Sequence, residues 1–534
     1  VIPTRPMNRL EQDVPYASLP ALVDDAAERF GQQPLWASVD DNTRISFCEF
    51  ARATLKCANA LNALGVGPGT HVAVMLPNAP AYVVTWMALA RLGAVMVPVN
   101  PQYKPRELEY VLQDSETTFL VIDADCLPVF DALEKRDALV PRSQLIVHGT
   151  VDVNRAHDWQ SIVEAAPDAA PRVPWPTGDS LMSIQFTSGS TGFPKGCMLT
   201  HDYWLVLGWV RSHQGPAPKR MLIDKPLSYM GGKWRFLICL FMGSTAFVAR
   251  QFSLTGLQQR LVDHDIDFFS VTDAVAKLPD VPAVAKLNIS WISTGGLSKG
   301  LHELLEKKFN APVRELYGMT ETGSTLYMPI EDGAMTGTGS CGLPAPYRQC
   351  RIVGPDGNDV APGTVGELWV SGRGILKAYY NKPDATKSAF AGEWFRTGDL
   401  FRQDAHGYFY IEGRIKDSIR RSGENISARE IESVAAGISG VLETAAVGVP
   451  DDKRGEEVKL YVVLQPGFSS DQITPSQVID YCRDKLAAFK LPRYIEYMDE
   501  FPHTSSGKIA KQELDSAASR RPRRIFDRSV DAWR

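Results

Sequence analysis

The chain has no C-x-x-C pair. Its eight cysteines (Cys48, Cys57, Cys126, Cys197, Cys239, Cys341, Cys350 and Cys482) are scattered over 534 residues. That scatter excludes a zinc ribbon and a disulfide framework, and a reducing compartment, the cytoplasm, is expected. The nine histidines contain no H-E-x-x-H, so the zinc-protease pattern is missing too. Positive charge is in deficit. Lys and Arg number 57 against 62 Asp and Glu, a net charge of -5 that makes no electrostatic case for nucleic acid or an anionic membrane. Long apolar runs are lacking as well: stretches such as residues 81–89 are too short to cross a bilayer. No charged-then-apolar leader is read at the start, and Asp531-Ala532-Trp533-Arg534 is not the peroxisomal S-K-L address. At this length two or more domains are expected.

What is present is concentrated in Thr187-Ser188-Gly189-Ser190-Thr191-Gly192-Phe193-Pro194-Lys195-Gly196. A backbone with few β-carbons can curl around an anion and aim N–H groups at it. Hydroxyls add donors and Lys195 adds a point charge. No G-x-x-x-x-G-K-[ST] occurs in the chain, so this is not a Walker A loop. A flexible Ser/Gly linker is the competing reading. Against it, Ser183-Ile184-Gln185-Phe186 runs in like a buried strand, and Met198-Leu199-Thr200 follows largely apolar.

Periodicity places these residues. Helix-like stretches at residues 49–64, 79–92 and 106–113 alternate with strand-like ones at 71–76, 94–99 and 119–122, the pattern of parallel α/β layers. From about 337 to 410 short alternating segments between Gly/Pro/Asp turns predict a small antiparallel sheet or barrel. A compact α+β region follows, with helices expected at 429–438 and 475–486 and strands at 445–449 and 458–464. The fold class expected is therefore α/β. It comprises a large N-terminal domain of layered sheets, a β-barrel-like subdomain and a small C-terminal α+β domain. Gly337-Thr338-Gly339-Ser340-Cys341-Gly342 matches G-x-G-x-x-G, but Pro344 and Pro346 come next, so it reads as a loop. The basic run Arg520-Arg521-Pro522-Arg523-Arg524 reads as a solvated end.

Three further clusters carry chemistry. In Glu315-Leu316-Tyr317-Gly318-Met319-Thr320-Glu321-Thr322 a ring could stack on a base, Thr320 could hold a phosphate oxygen, and Glu321 could hold Mg²⁺. A turn with Thr320 capping a helix explains the same residues. In Thr397-Gly398-Asp399, followed by Gly413-Arg414-Ile415-Lys416-Asp417, a carboxylate suits a ribose diol and an arginine suits a ribose or phosphate oxygen; an ordinary Gly-Asp turn with a basic pair is the alternative. Ser505-Ser506-Gly507-Lys508 puts a lysine on a glycine-containing loop, which by itself looks like a surface turn.

In this order the pieces resemble the adenylate-forming superfamily, and AMP-forming acyl-CoA synthetases within it, over roughly residues 16–511. The resemblance implies ATP-dependent activation of a carboxylic acid to an acyl-adenylate. Transfer to coenzyme A then gives acyl-CoA, AMP and pyrophosphate. A stand-alone adenylation enzyme loading a carrier protein is the alternative. The implied N-terminal domain spans residues 1–414 and a mobile C-terminal domain 415–534, pivoting about Lys416 and Asp417. ATP would be held by Thr187, Ser188, Gly189, Ser190, Thr191, Gly192, Lys195, Gly295, Gly296, Tyr317, Gly318, Thr320, Asp399, Arg414 and Lys508. Lys508, Thr320 and Glu321 would be catalytic, Glu321 through Mg²⁺. Ser422, Gly423 and Glu424 would line the CoA tunnel, and Tyr229, Met230, Gly231, Trp234, Leu297 and Met319 the acid pocket. Tyr229 stands where many relatives carry a histidine. Lys233 and Arg235, in the same stretch, could read a second polar group on the acid. The implied partners are the acid, ATP and CoA, with no nucleic acid, no transmembrane segment, and a homodimer as the form to test.

Overall fold

A computed structural model describes residues 13–150, 156–187, 194–297, 300–415, 418–421, 424–451, 454–486, 488–504, 509–514 and 524–533. It divides into two compact units. One comprises Val1–Cys350 with Val370–Phe395, the other Arg351–Trp369 with Arg396–Arg534.

The first unit holds two sheets. Seven strands, named here by first residue, run in the order His157, Leu145, Phe119, His71, Val95, Leu181, Lys195. All pair in parallel except the last, which is antiparallel to Leu181–Thr187. The expected alternation is present: strand His71–Met75, helix Pro80–Leu92, strand Val95–Pro98, helix Pro105–Asp114, strand Phe119–Asp123. Local chemistry sets the helix ends. Ser46 and Glu49 form a reciprocal capping box at the start of Phe47–Ala63. Proline opens Pro80–Leu92, and Gly93 closes it in the left-handed conformation.

The second sheet of this unit runs Ser340, Gly323, Val313, Trp291, Phe268, Arg220, Thr245, Pro34, Arg44. Its central strands are parallel, and Val313–Met319, Gly323–Tyr327 and Ser340–Pro344 form an antiparallel end. Two helices sit among the apolar layers. Thr200 caps His201–Ser212 through its side-chain oxygen. Met230–Met242 is buried on almost every side from Gly232 to Phe241. A β-carbon on Gly232 would lie 2.8–2.9 Å from the Lys225 and Pro226 carbonyls and the Leu227 backbone, so this helix can start here only with glycine. The G-x-G-x-x-G match lies in a turn and the strand Ser340–Pro344, with no helix after it.

The second unit carries the strands beginning at Gln349, Gly366, Trp394 and Phe409, whose larger parts belong to it. It also holds a sheet in the order Glu424, Ser418, Gly455, Tyr494, Ile525, Ala532, with Val441–Asp451 along Gly455–Leu464. Helices Ala428–Ala435 and Pro475–Arg483 cover it, close to the stretches expected from periodicity. The eight cysteines are free. Among the described residues no helix is long and apolar enough to cross a membrane.

Candidate functional site

The glycine-rich loop connects two strands of the first sheet. Thr187 and Lys195 are direct partners across the antiparallel pair, so its two ends are clamped together. Tyr110 adds a hydrogen bond from its hydroxyl to the Pro194 carbonyl at 2.9 Å. Ser188, Gly189, Ser190, Thr191, Gly192 and Phe193 lie outside the described residues.

Lys195 leads to Glu321. The Lys195 Nζ sits 4.5 Å from the centroid of the Tyr379 ring, and the Tyr379 hydroxyl donates to Glu321 Oε1 at 2.9 Å. Burial, with the Glu321 charge beside it, pushes the Tyr379 phenol far above its ordinary range. Tyr379 therefore stays a donor, and Glu321 is held as an acceptor. The segment that carries Tyr379 runs beside the lysine's own strand: Lys377 and Tyr380 donate backbone N–H groups to the Met198 and Gly196 carbonyls.

Glu321 stands in a tight turn between Val313–Met319 and Gly323–Tyr327. No helix follows, so Thr320 caps none. Three groups hold this turn. The buried Tyr203 hydroxyl donates to the Thr320 carbonyl at 2.7 Å. Leu376 N–H donates to the Glu321 carbonyl at 2.7 Å. Arg348 donates from Nε and Nη2 to the Thr322 carbonyl at 3.0 and 2.7 Å, and from Nη2 to the Gly374 carbonyl at 2.9 Å. Burial lowers the Arg348 guanidinium to about 10, still charged at neutral pH. Gly318 belongs to the same device, since a β-carbon there would press into the Gly323 carbonyl oxygen.

The glycine pair is held from beneath. Glu315 accepts the backbone N–H groups of Gly296 at 3.0 Å and Leu297 at 2.9 Å, and His302 Nε2 lies 3.3 Å from the same carboxylate. Glu315 stands at the head of the 315–322 cluster with nothing in the sequence to mark its role. Tyr203 and Arg348 belong to no motif and carry no signal along the chain. Only Tyr379-Tyr380, an aromatic pair in a stretch without periodicity, left a signal.

The expected acid-pocket residues cluster in part. Met230 and Met319 pack on one apolar cluster with Trp234 and Tyr203, while Leu297 belongs to a neighbouring cluster. The Tyr229 hydroxyl accepts from Asn100 Nδ2 at 2.9 Å. Lys233, expected near the pocket, is fully buried. Its Nζ donates to Gln185 Oε1 at 2.6 Å, and Gln185 Nε2 donates to the Ser228 carbonyl at 3.0 Å. Lys233 therefore braces the stretch that leads into Tyr229.

In the second unit Asp399 and Arg414 are direct partners across paired strands, and Arg414 Nε donates to Asp399 Oδ1 at 2.7 Å. The Thr397 hydroxyl accepts Asp399 N–H at 3.1 Å and donates to the Leu368 carbonyl at 2.7 Å. Glu367, unforeseen, accepts the Gly398 N–H at 3.0 Å. Lys416, Asp417, Ser422, Gly423 and Lys508 lie outside the described residues; Glu424 opens the strand Glu424–Ser427.

Among the described residues no group of three or more His, Cys, Asp or Glu side chains could hold a metal. A single buried carboxylate still fits Mg²⁺, which takes one or two carboxylates and fills its shell with phosphate oxygens and water.

The first unit thus holds a clamped loop with a lysine at its end and a carboxylate in a tight turn, and the second unit an Asp/Arg pair. The chain belongs to the AMP-binding enzyme family, whose profile matches residues 23–380, and the family's C-terminal domain profile matches residues 430–508. Its curated relatives include long-chain-fatty-acid–CoA ligase FadD13 of Mycobacterium tuberculosis, 32% identical over 497 residues (90% of this chain, 95% of that protein). They also include sulfoacetate–CoA ligase of Cupriavidus necator, 31% identical over 518 residues (95% and 99%). Among solved structures, ATP-bound MatB from Rhodopseudomonas palustris aligns with TM-score 0.82 at 26% identity (93% and 99%). The o-succinylbenzoate CoA synthetase MenE from Bacillus subtilis, in complex with its acyl-adenylate, aligns with TM-score 0.80 at 25% identity (93% and 98%).

Proposed function

We propose that this AMP-binding enzyme is an acyl-CoA ligase. A carboxylate oxygen attacks the α-phosphorus of ATP, pyrophosphate leaves, and an acyl-adenylate forms. The CoA thiol then attacks the acyl carbon, loses its proton and displaces AMP, giving the thioester. The observation that carries this reading is the line from Lys195 through Tyr379 to Glu321, a cation and a carboxylate held at the clamped end of the loop. The relatives' names support it, since those compared are CoA ligases and synthetases.

Two anions must meet in the first step, so charge and position supply most of the catalysis. Lys195 and the loop 188–193 take the departing pyrophosphate. Tyr317 stacks on the adenine, beside the Gly295-Gly296 backbone that Glu315 holds in place. Asp399 and Arg414 bind the ribose. Lys508 bridges the attacking carboxylate and the α-phosphate. Mg²⁺, when bound, neutralises phosphate charge, and Glu321 and the Thr320 hydroxyl are the groups that would hold it and its phosphates. Ser422, Gly423 and Glu424 serve the pantetheine thiol.

A panel of carboxylic acids assayed for AMP release, with and without CoA, tests the proposal. Acid-dependent ATP–pyrophosphate exchange without CoA, and thioester with it, are expected. No exchange with any acid refutes the enzyme; thioester on carrier-protein pantetheine but not on CoA refutes the ligase.

A further inference from the structure

Three buried basic side chains lie around the helix Met230–Met242, and among the described residues none is ion-paired with a carboxylate. Lys233 is accounted for by Gln185 and by the Trp204 ring, 5.2 Å away. Arg211 and Arg235 are not. They are 5% and 4% exposed. Both stack on one indole: the Arg235 Cζ is 4.2 Å and the Arg211 Cζ 5.1 Å from the Trp234 ring. Arg235 donates to the Gly231 carbonyl and the Ser270 hydroxyl, and Arg211 Nη1 to Gln214 Oε1 at 3.0 Å. The Nε of each has no hydrogen-bond partner. A guanidinium carries five N–H donors, so both retain unused capacity.

The place of these groups matters as much as their state. Trp234 and Gly231 belong to the expected acid pocket. Ser270 and its hydroxyl partner Ser293 lie on the strands Phe268–Val271 and Trp291–Thr294, the second of which leads into Gly295-Gly296. Gln214 in turn donates to Ser324 on Gly323–Tyr327, the strand after the Glu321 turn. The wall that would face an alkyl tail is thus built from two cations, an amide and three hydroxyl groups. Two like charges buried side by side destabilise the protein, and cation–π attraction to one indole offsets only part of that. Burial brings Arg211 to about 9 and Arg235 to about 10, so both remain cations at neutral pH. Asp224 acts on Arg235 through space but forms no ion pair with it.

We propose that Arg211 and Arg235, stacked on Trp234, receive a second anionic group, a carboxylate or a sulfonate, at the far end of the acid that the enzyme activates. This rests on the acid-activating reading above and deepens it. A planar guanidinium pairs with such a group through two parallel hydrogen bonds. The same polar wall rejects a plain alkyl end, which would leave both cations buried and unpaired.

The test uses the full-length enzyme and acids matched in length: butanoate against butanedioate, pentanoate against pentanedioate, hexanoate against hexanedioate and the corresponding ω-sulfonate. In the wild type at least one dianionic acid is expected to exceed its monoanionic partner in kcat/KM for AMP release by about 30-fold or more. In Arg235→Met that ratio falls by about 30-fold, chiefly through KM for the dianion, and Arg211→Gln, a milder change, moves it the same way. Calorimetric binding of the same acids beside a non-hydrolysable ATP analogue gives a readout that needs no turnover. Preference for the monoanion throughout the wild-type panel, or an unchanged ratio in whichever variant folds, overturns the proposal. Binding of a dianion that depends on Arg235, without AMP release from any acid, leaves the receptor standing and refutes the enzymatic reading instead.

Discussion

At the scale of single residues, Tyr379 is the group whose removal is most informative. Tyr379→Phe deletes one hydrogen bond to a buried carboxylate and keeps the ring under Lys195. Such bonds are worth about 1.5–3 kcal/mol, so adenylation kcat/KM should fall about 10- to 100-fold, with a smaller change in melting temperature. A variant that melts much earlier while its kcat/KM stays put would make Tyr379 a stability residue only. His201 gives a pH signature. It is buried, accepts the Leu19 N–H at 3.3 Å, and its imidazole is held at about 4 against an ordinary 6.5. Below pH 6.5 the unfolded chain takes up a proton that the folded one refuses, so stability is full above 6.5 and drains away as pH falls towards 4. The loss amounts to about 3 kcal/mol. His201→Gln should flatten the slope of unfolding free energy across that window, measured by denaturant titration at several pH values. Neither residue could be singled out from sequence. Tyr379 meets Glu321 across 58 positions, and a histidine on an apolar helix looks the same whether or not it titrates.

Elements were more legible where local chemistry punctuates them. Pro80 and Gly93 bracket a helix, and Ser46 with Glu49 starts another, so sequence and structure agree there to within a few residues. The turn at Glu321 was not legible as a strand connection, because Thr320 is as good a helix cap as a turn residue. The close approach of Gly318 to the Gly323 carbonyl decides it. Gly318→Ala must push two strands apart and is expected to lower the unfolding free energy by about 3 kcal/mol, read as a shift in denaturant midpoint. An alanine variant as stable as wild type would mean the bulge at Tyr317 and Gly318 absorbs the methyl. Gly232 makes a similar demand at the start of Met230–Met242, where the obstruction is three consecutive backbone residues rather than one.

For the whole molecule, the order of the motifs along the chain was the legible part, and family membership follows from it. What the sequence hid is how each motif is held: Glu315 under the glycine pair, Glu367 on Gly398, Arg348 behind Glu321. Such supports are single residues far from the motif they serve and have no pattern of their own. Division of labour between the two half-reactions is a prediction at this scale. Lys508→Ala should abolish acid-dependent ATP–pyrophosphate exchange yet still convert supplied acyl-adenylate and CoA to thioester. Equal loss of both activities would show that Lys508 does not belong to the first step alone.

Among the described residues, Arg348 donates hydrogen bonds only to main-chain carbonyls, those of Thr322, Tyr347, Arg373 and Gly374. A clamp that reads peptide groups is indifferent to what side chains its neighbours carry. Thr322, Tyr347 and Arg373 can therefore exchange side chains without loss of their bond to the clamp, while Gly374, in the left-handed conformation and close against Val206, cannot; the arginine itself has no substitute, since lysine offers one point of attachment where the fork needs several. Inserting or deleting a single residue between 347 and 374 should consequently damage the enzyme more than exchanging any one of Tyr347, Arg373 or Thr322 for alanine.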